Sequence, residues 1–97
     1  MDEDRLQAAR KVIGEVDRDM ARLFERRMET VHRISEYKRA HGLPVFDAAR
    51  EQAVIRRNSA LIADETLREE YVRFLHAVMD ISKDYQYRLA EAEEKKD

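Results

Sequence analysis

The sequence contains no cysteine and no tryptophan, and only two glycines and one proline in 97 residues. Without cysteine the chain can form neither a disulfide nor a thiolate nucleophile, so both kinds of chemistry are excluded. Scarce glycine and proline leave few places for turns, while the many Ala, Leu, Glu, Arg and Lys residues favour helix. The length leaves no room for a second core, so these absences predict a single all-α domain over residues 1–97.

A basic excess and long apolar runs are also missing. Charged residues make up 41% of the chain, yet the net charge is −2, so the two signs are mixed. Binding to nucleic acid or to an anionic membrane needs a basic excess, and a membrane span needs a long apolar run. The beginning, Met1 to Arg5, lacks the apolar stretch of a signal peptide. We expect a soluble cytoplasmic protein with no nucleic-acid partner and no membrane partner.

Helical periodicity divides the chain into three helices, one long, one short and one long. Apolar or small residues at alternating steps of three and four predict a first helix over about residues 4–41. Gly42 and Pro44 end it and open a loop over residues 42–46. Asp47 is a plausible N-cap for a second helix over about residues 47–63. A third helix is expected over about 65–91, followed by a solvated tail, 92–97, that frays.

The length of the first helix predicts a second copy of the chain. At ~1.5 Å per residue this helix is about 55 Å long, whereas a compact domain of this size has a radius of gyration of about 13 Å. Two shorter helices do not cover both sides of such a rod. A two-fold homodimer is the simplest way to bury the rest of its apolar seam.

Positive charges interrupt that seam. Arg27 continues the heptad track of Leu6 and Ile13, and Lys38, eleven residues further on, points to nearly the same side at ~100° per residue. Arg10 points roughly 100° away from Arg27 by the same arithmetic, so we expect it to lie outside that cavity and to face a dimer interface. Either acids from the other helices pair with these cations, or the cations line a pocket for a small polyanion.

Polar residues elsewhere favour the second interpretation only weakly when each is taken alone. Asp47, Arg50 and Glu51 place an acid, a base and a second acid in the first turn of the second helix. Simple capping by Asp47, with Glu51 near the positive helix end, explains the acids equally well. Ser82 and Gln86 are four residues apart, hence on one side of the third helix. The three histidines lack metal-ligand spacing with a third ligand, so no metal site is expected.

Taken in order, these residues resemble the all-helical chorismate mutase family. The pattern runs from Leu6 through Arg10, Ile13, Asp17, Arg27 and Lys38, then through Gly42-Leu-Pro-Val-x-Asp47-x-x-Arg50-Glu51, to Ser82-x3-Gln86. No single piece is specific, but the ordered set covers nearly the whole chain.

The resemblance implies an intertwined helical homodimer that catalyses the rearrangement of the dianion chorismate to prephenate in phenylalanine and tyrosine biosynthesis, without a cofactor. It implies that catalytic roles fall to Lys38, Gln86, Arg27 and Glu51. Substrate binding then falls to Arg10, Arg27, Arg50, Asp47 and Ser82, with Arg10 supplied across the dimer interface. It also implies that an enzyme of the aromatic pathway is a candidate partner.

Three departures bear on these assignments. Family members often carry the catalytic arginine first in a Glu-Arg-Arg run, whereas the seam here selects Arg27 and leaves Arg26 as the alternative. The alignment with the family pattern is shifted by one residue before Ser82, so the assignment of Ser82 and Gln86 depends on that shift. Phe46 stands where polar or basic residues are common.

Two other functions fit part of the pattern. An isochorismate-pyruvate lyase on the same scaffold would bind a similar dianion with Arg and Lys, although Glu51 favours the mutase. A non-catalytic helical dimerisation or regulatory module would explain the heptads and the length. It would not explain why Arg27 and Lys38 share a side of the helix.

Overall fold

The computed structural model describes residues 2–95, which form three α-helices and one short 3-10 segment without a β-strand in that range. Helix α1 is Glu3–Ala40, α2 is Ala48–Ser59 and α3 is Arg68–Lys95, with the 3-10 turn Glu65–Leu67 directly before α3. The predicted all-α fold of one long, one short and one long helix is therefore confirmed.

Helix α1 begins and ends with side-chain and backbone caps. The Asp2 carboxylate accepts a hydrogen bond from the Arg5 amide at 2.8 Å, which satisfies one of the free amides of the first turn. At the other end Gly42 has a φ of 63°, a left-handed conformation that suits glycine. The Leu43 amide then donates back to the Lys38 carbonyl at 2.8 Å, as in a Schellman motif. These caps place the ends of α1 within one residue of those expected.

Helix α2 ends at Ser59, about four residues earlier than the sequence suggested. The guanidinium of Arg68 donates to the carbonyl oxygens of Ser59 at 3.1 Å and Ile62 at 3.0 Å. These bonds add to the one that the Ser59 carbonyl accepts from the Ile62 amide at 3.3 Å, so carbonyls at and just beyond the end of α2 are satisfied and the chain can turn here without glycine. A capping arginine nine residues downstream leaves no local signal in the sequence.

Helix α3 is preceded by its own cap and extends further than expected. The Asp64 carboxylate accepts hydrogen bonds from the Thr66 amide at 3.0 Å and the Thr66 hydroxyl at 2.6 Å, which starts the 3-10 turn. The helix then continues to Lys95, four residues beyond the expected end, because Ala, Glu and Lys all have high helix propensity. Of the expected solvated tail, residues 92–95 are helical and exposed, and residues 96–97 lie outside the described range.

The chain divides into two compact units, residues 1–31 and 32–97, whose described parts are considered separately. The first consists of the N-terminal part of α1. Between residues 6 and 24 its large apolar side chains are exposed in the single chain, by 37% at Leu6 to 60% at Leu23, whereas Val31 at its end is buried. The seam that the sequence predicted to be buried therefore lies at the surface of one chain.

The second unit holds the end of α1, the loop, α2 and α3. Its buried apolar side chains are Leu75 and Met79, and its buried polar ones are Ser35, Ser82 and Gln86. Helix α2 buries no residue completely but packs against α3. The interior of this unit is therefore small, and it buries about as many polar as apolar side chains. None of the helices in the described range is both long enough and apolar enough to cross a membrane.

Candidate functional site

The eight candidate residues from the sequence are divided between the two units. Arg10 and Arg27 lie in the first unit, and Lys38, Asp47, Arg50, Glu51, Ser82 and Gln86 lie in the second. The surroundings of the six residues in the second unit are described first.

Lys38 is fixed by the loop that follows its own helix. Its side chain is half-buried, and its Nζ donates to the carbonyl oxygen of Val45 at 2.9 Å. The Schellman motif at Gly42 turns the chain back so that Val45 comes within reach. A lysine ammonium has three donor hydrogens, so this bond orients the group and leaves donors for a ligand.

The first turn of α2 combines capping with the candidate acid and base. The Asp47 carboxylate accepts from the Arg50 amide at 3.0 Å, so the capping interpretation of Asp47 is confirmed. Arg50 is exposed, and Glu51 is turned toward α3.

Glu51 forms an ion pair that the sequence did not reveal. The Nζ of Lys83 lies 3.1 Å from Oε2 and 3.4 Å from Oε1 of Glu51, and both side chains are 21% exposed. The hydrogen bond to Glu51 is the main reason that the pKa of Lys83 is raised, so the ammonium stays charged at neutral pH. A separation of 32 residues carries no periodic signal, which is why Lys83 was missed.

Phe46 contributes to the same contact. The ammonium of Lys83 lies 4.7 Å from the centroid of the Phe46 ring, within the range of a cation–π interaction. Asp80, one turn before Lys83 on α3, adds a second carboxylate at 3.4 Å. The unusual Phe46 therefore has a structural role, which is to cover the lysine that binds Glu51.

Ser82 and Gln86 lie side by side on the buried side of α3. The Ser82 hydroxyl donates to the Val78 carbonyl at 2.8 Å, one turn earlier. Gln86 is only 7% exposed, and its Oε1 has no hydrogen-bond partner among the described residues. A buried amide oxygen without a partner typically costs about 1–3 kcal/mol. Rotation of the amide would exchange its oxygen and its NH2 group, so a bound molecule could use either one.

The two arginines of the first unit both lie on α1. Arg10 and Arg27 are exposed by surface area in the single chain. The protein around the Arg27 guanidinium nevertheless excludes enough water to lower the pKa of Arg27, although an arginine remains charged at any physiological pH.

A separate open depression of about 470 Å³ lies beside α3 and is lined by Phe46, Asp80, Lys83, Asp84 and Tyr87. None of the eight candidate residues lines it. Two acids and one base give it a negative balance, so it does not suit a dianion. Within residues 2–95, no three His, Asp or Glu side chains come together as metal ligands would.

The side chains of the second unit are therefore suited to binding a ligand and polarising its bonds. It offers an ammonium fixed by a carbonyl, a guanidinium on the first turn of a helix, a buried amide and a carboxylate neutralised by a lysine. Such groups can hold an anion in one conformation and donate hydrogen bonds to it.

Comparison with known proteins identifies the family. The model of the chorismate mutase type II family matches residues 9–87 of this chain. The chain belongs to the chorismate mutase type II family, as its resemblance predicted.

One curated relative adds to this result. The T-protein of Haemophilus influenzae is 36% identical over 50 residues, which are 52% of this chain and 13% of that protein. The chain thus matches only a small part of the length of this relative. No solved structure matches the chain significantly.

Proposed function

We propose that this chain is a chorismate mutase, an isomerase that converts chorismate to prephenate in the biosynthesis of phenylalanine and tyrosine. The observation that carries the proposal is the family match over residues 9–87, a range that includes all eight candidate site residues. The oriented ammonium of Lys38 and the buried amide of Gln86 support it, since both are groups suited to binding a dianion.

The reaction is a unimolecular [3,3] rearrangement. The ether C–O bond of chorismate breaks while a new C–C bond forms within the same molecule, so no nucleophile or proton transfer is needed. The enzyme must hold a flexible dianion in its compact reactive conformation, and it must stabilise negative charge that grows on the ether oxygen. Fixed cations and hydrogen-bond donors meet both requirements.

Three arginines are proposed to bind the carboxylates of the substrate. Their planar guanidinium groups can each grip a carboxylate through two hydrogen bonds. Arg27 and Arg50 would act within one chain, and Arg10 would reach the site of a second chain. Support for Arg27 comes from its partly desolvated guanidinium and from helical periodicity, which puts it on the side of α1 that also carries Lys38.

Lys38 and Gln86 are proposed to donate to the ether oxygen. The bond from Lys38 to the Val45 carbonyl holds the ammonium in place before substrate arrives. The burial of Gln86 makes any hydrogen bond from its amide stronger than in water. Donors of this kind accelerate the reaction only insofar as they bind the transition state more tightly than the substrate.

The remaining candidates are proposed to orient the substrate. Glu51 would accept a hydrogen bond from the substrate hydroxyl, and Asp47 and Ser82 would contribute supporting contacts near the ring and its carboxylate. Asp47 already uses one oxygen as the N-cap of α2, so its other oxygen would serve the substrate.

We further propose that the active form is an intertwined homodimer in which α1 is shared by two sites. The support is the seam on residues 6–24, whose apolar side chains are exposed by 37% to 60% in one chain. Burial of such side chains stabilises a dimer by about 25 cal/mol per Å² of apolar surface. Residues 1–97 would then act as one mutase domain. The cytoplasmic location and a partner enzyme of the aromatic pathway stay predictions.

The test is product analysis with two substrates, run beside a measurement of molecular mass in solution. The proposal expects prephenate from chorismate and no pyruvate from isochorismate. Release of pyruvate would instead assign the lyase reaction. A folded dimer inactive on both substrates would leave a dimerisation or regulatory module.

A further inference from the structure

Lys83 is a charged residue that contacts Glu51 of the proposed site, and the family pattern provides no role for it. It lies between Ser82 and Gln86 on α3, and its ammonium contacts both oxygens of Glu51. Ion pairs such as Arg22–Asp19 join residues one turn apart on a single helix and are well exposed. The Lys83–Glu51 pair instead joins α3 to the first turn of α2, with both partners only 21% exposed.

Contacts from three directions fix the Lys83 ammonium. Glu51 approaches from α2, the Phe46 ring from the loop and Asp80 from the preceding turn of α3. A lysine whose charge merely kept the surface soluble would extend into water, since immobilising a long side chain costs conformational entropy. The arrangement therefore favours a role that depends on where this ammonium is.

That role follows from the charges around it. The proposed substrate carries two negative charges, and Glu51 would bring a third into the same site. At an effective dielectric constant of about 20, two like charges about 7 Å apart repel strongly enough to weaken binding roughly 10- to 100-fold. A carboxylate has about four acceptor positions, so a lysine can neutralise its charge and still leave positions for a substrate hydroxyl.

We infer that Lys83 is a positioning residue of the proposed site: it holds the Glu51 carboxylate in place and cancels its charge, so that an acid can accept the hydroxyl of a dianion without repelling it. This inference rests on the proposed function. It adds a residue that specifies substrate binding and does not itself touch the reacting atoms.

The first experiment compares steady-state kinetics of the wild type, Lys83→Met and Lys83→Arg. Met keeps the length of the side chain without the charge, and the expected result is a KM for chorismate raised about 10- to 100-fold. The kcat should change by less than about threefold, because repulsion acts equally on the substrate and the transition state. Arg restores the charge and should return KM to within about threefold of the wild type.

Arg73→Met is the matched control, since it removes one positive charge from an exposed position of the same helix. It should leave both kinetic constants within about twofold of the wild type. Circular dichroism and molecular mass in solution establish that each variant is folded and in the same assembly as the wild type.

A second arm uses Glu51→Gln, which removes the charge that Lys83 is inferred to cancel. If the inference is right, adding Lys83→Met to Glu51→Gln raises KM much less than the same change does in the wild type. This comparison remains decisive if Lys83→Met alone folds poorly, because the pair of neutral residues leaves no buried charge unmatched.

The outcomes separate the two proposals. A wild-type chain without chorismate turnover overturns the proposed function and the inference together. An active wild type with an unchanged KM in Lys83→Met overturns the inference alone. A lowered KM in that variant also overturns it, since Lys83 would then block Glu51 from the substrate. An equal rise in KM in the presence and absence of the Glu51 charge would show that Lys83 acts independently of Glu51.

Discussion

The two units of the chain bury their side chains very differently. Residues 3–31 are helical, and the large apolar side chains of residues 6–24 are exposed in one chain, as at Ile13 and Leu23. Residues 32–95 bury a small set of apolar and polar groups in nearly equal measure, among them Met79, Ser82 and Gln86. An isolated helix gains little stability without tertiary packing of its apolar side. The first unit is therefore where we propose a partner surface, whereas the second contains the polar groups that we propose for the site.

The largest expected effect is in the second unit, at Lys38. Lys38→Ala removes an oriented ammonium proposed to stabilise the ether oxygen, and kcat should fall about 100- to 1,000-fold. The fold should persist, because this side chain contributes one hydrogen bond to Val45. Continuous measurement of chorismate consumption tests the effect, with Lys95→Ala as an exposed control at the end of α3. Near-normal turnover in Lys38→Ala would remove Lys38 from the catalytic set.

The next effect is in the first unit and concerns the seam. Ile13→Asp puts a charge on a side chain that is 59% exposed in one chain. If α1 is truly exposed, such a surface change alters stability by about 0.5 kcal/mol or less. If a second chain covers it, the buried charge should dissociate the dimer and lower activity at least about tenfold, because Arg10 no longer reaches its partner.

Molecular mass and activity, each followed against protein concentration, distinguish these cases. Gln7→Asp is the matched control, since it makes the same change in charge at an exposed position about 120° around α1 from Ile13. A dimer that survives Ile13→Asp intact would contradict the seam as the interface, and the difference between the two units would then have another cause.

A third change tests whether the buried amide of Gln86 donates a hydrogen bond to the substrate. Gln86→Glu replaces a donor that does not titrate with a carboxyl group that donates only when protonated. Its activity at neutral pH should fall about tenfold or more and recover as the pH falls toward the pKa of the new carboxyl group, which burial would raise above its ordinary value near 4.3. The wild type should be nearly independent of pH over the same range. A variant with the flat profile of the wild type would exclude Gln86 as a donor.

The smallest expected effect concerns the cap before α3, outside the proposed site. Two hydrogen bonds from Thr66, chiefly that of the side chain, lower the pKa of Asp64. The ionised form is thus favoured in the folded state. The stabilisation is present above the pKa of the unfolded chain, near 3.9, and is lost as the pH falls through the lower folded value.

Asp64→Ala should therefore lower the Tm at pH 7 by a few degrees, about 2–5 °C for a domain of this size. The difference from the wild type should shrink in acid, and the kinetic constants should remain unchanged. Thermal unfolding followed by circular dichroism at pH 7 and below pH 4 tests this. A Tm difference that is the same at both pH values would show that the Asp64 charge is unimportant.

The sequence by itself determined the three helices and where the first one stops. Scarce glycine and proline, apolar steps of three and four, and the Gly42-x-Pro44 stop are local features, and local hydrogen bonding and sterics decide them. Asp47 as an N-cap is local in the same sense, since the amide that it accepts from is three residues away. The family also followed from the sequence, because an ordered set of residues is a linear pattern.

Only the tertiary structure decided the contacts between distant residues. The early end of α2 depends on Arg68, which supplies hydrogen bonds from the following helix. The partner of Glu51 is Lys83, 32 residues away, and the neighbour of Lys83 in the loop is Phe46. Such pairings depend on how helices pack, and helical periodicity specifies only which side of its own helix a residue occupies. The charged residues could be recognised from the sequence, but only the fold shows which positive side chain neutralises which negative one.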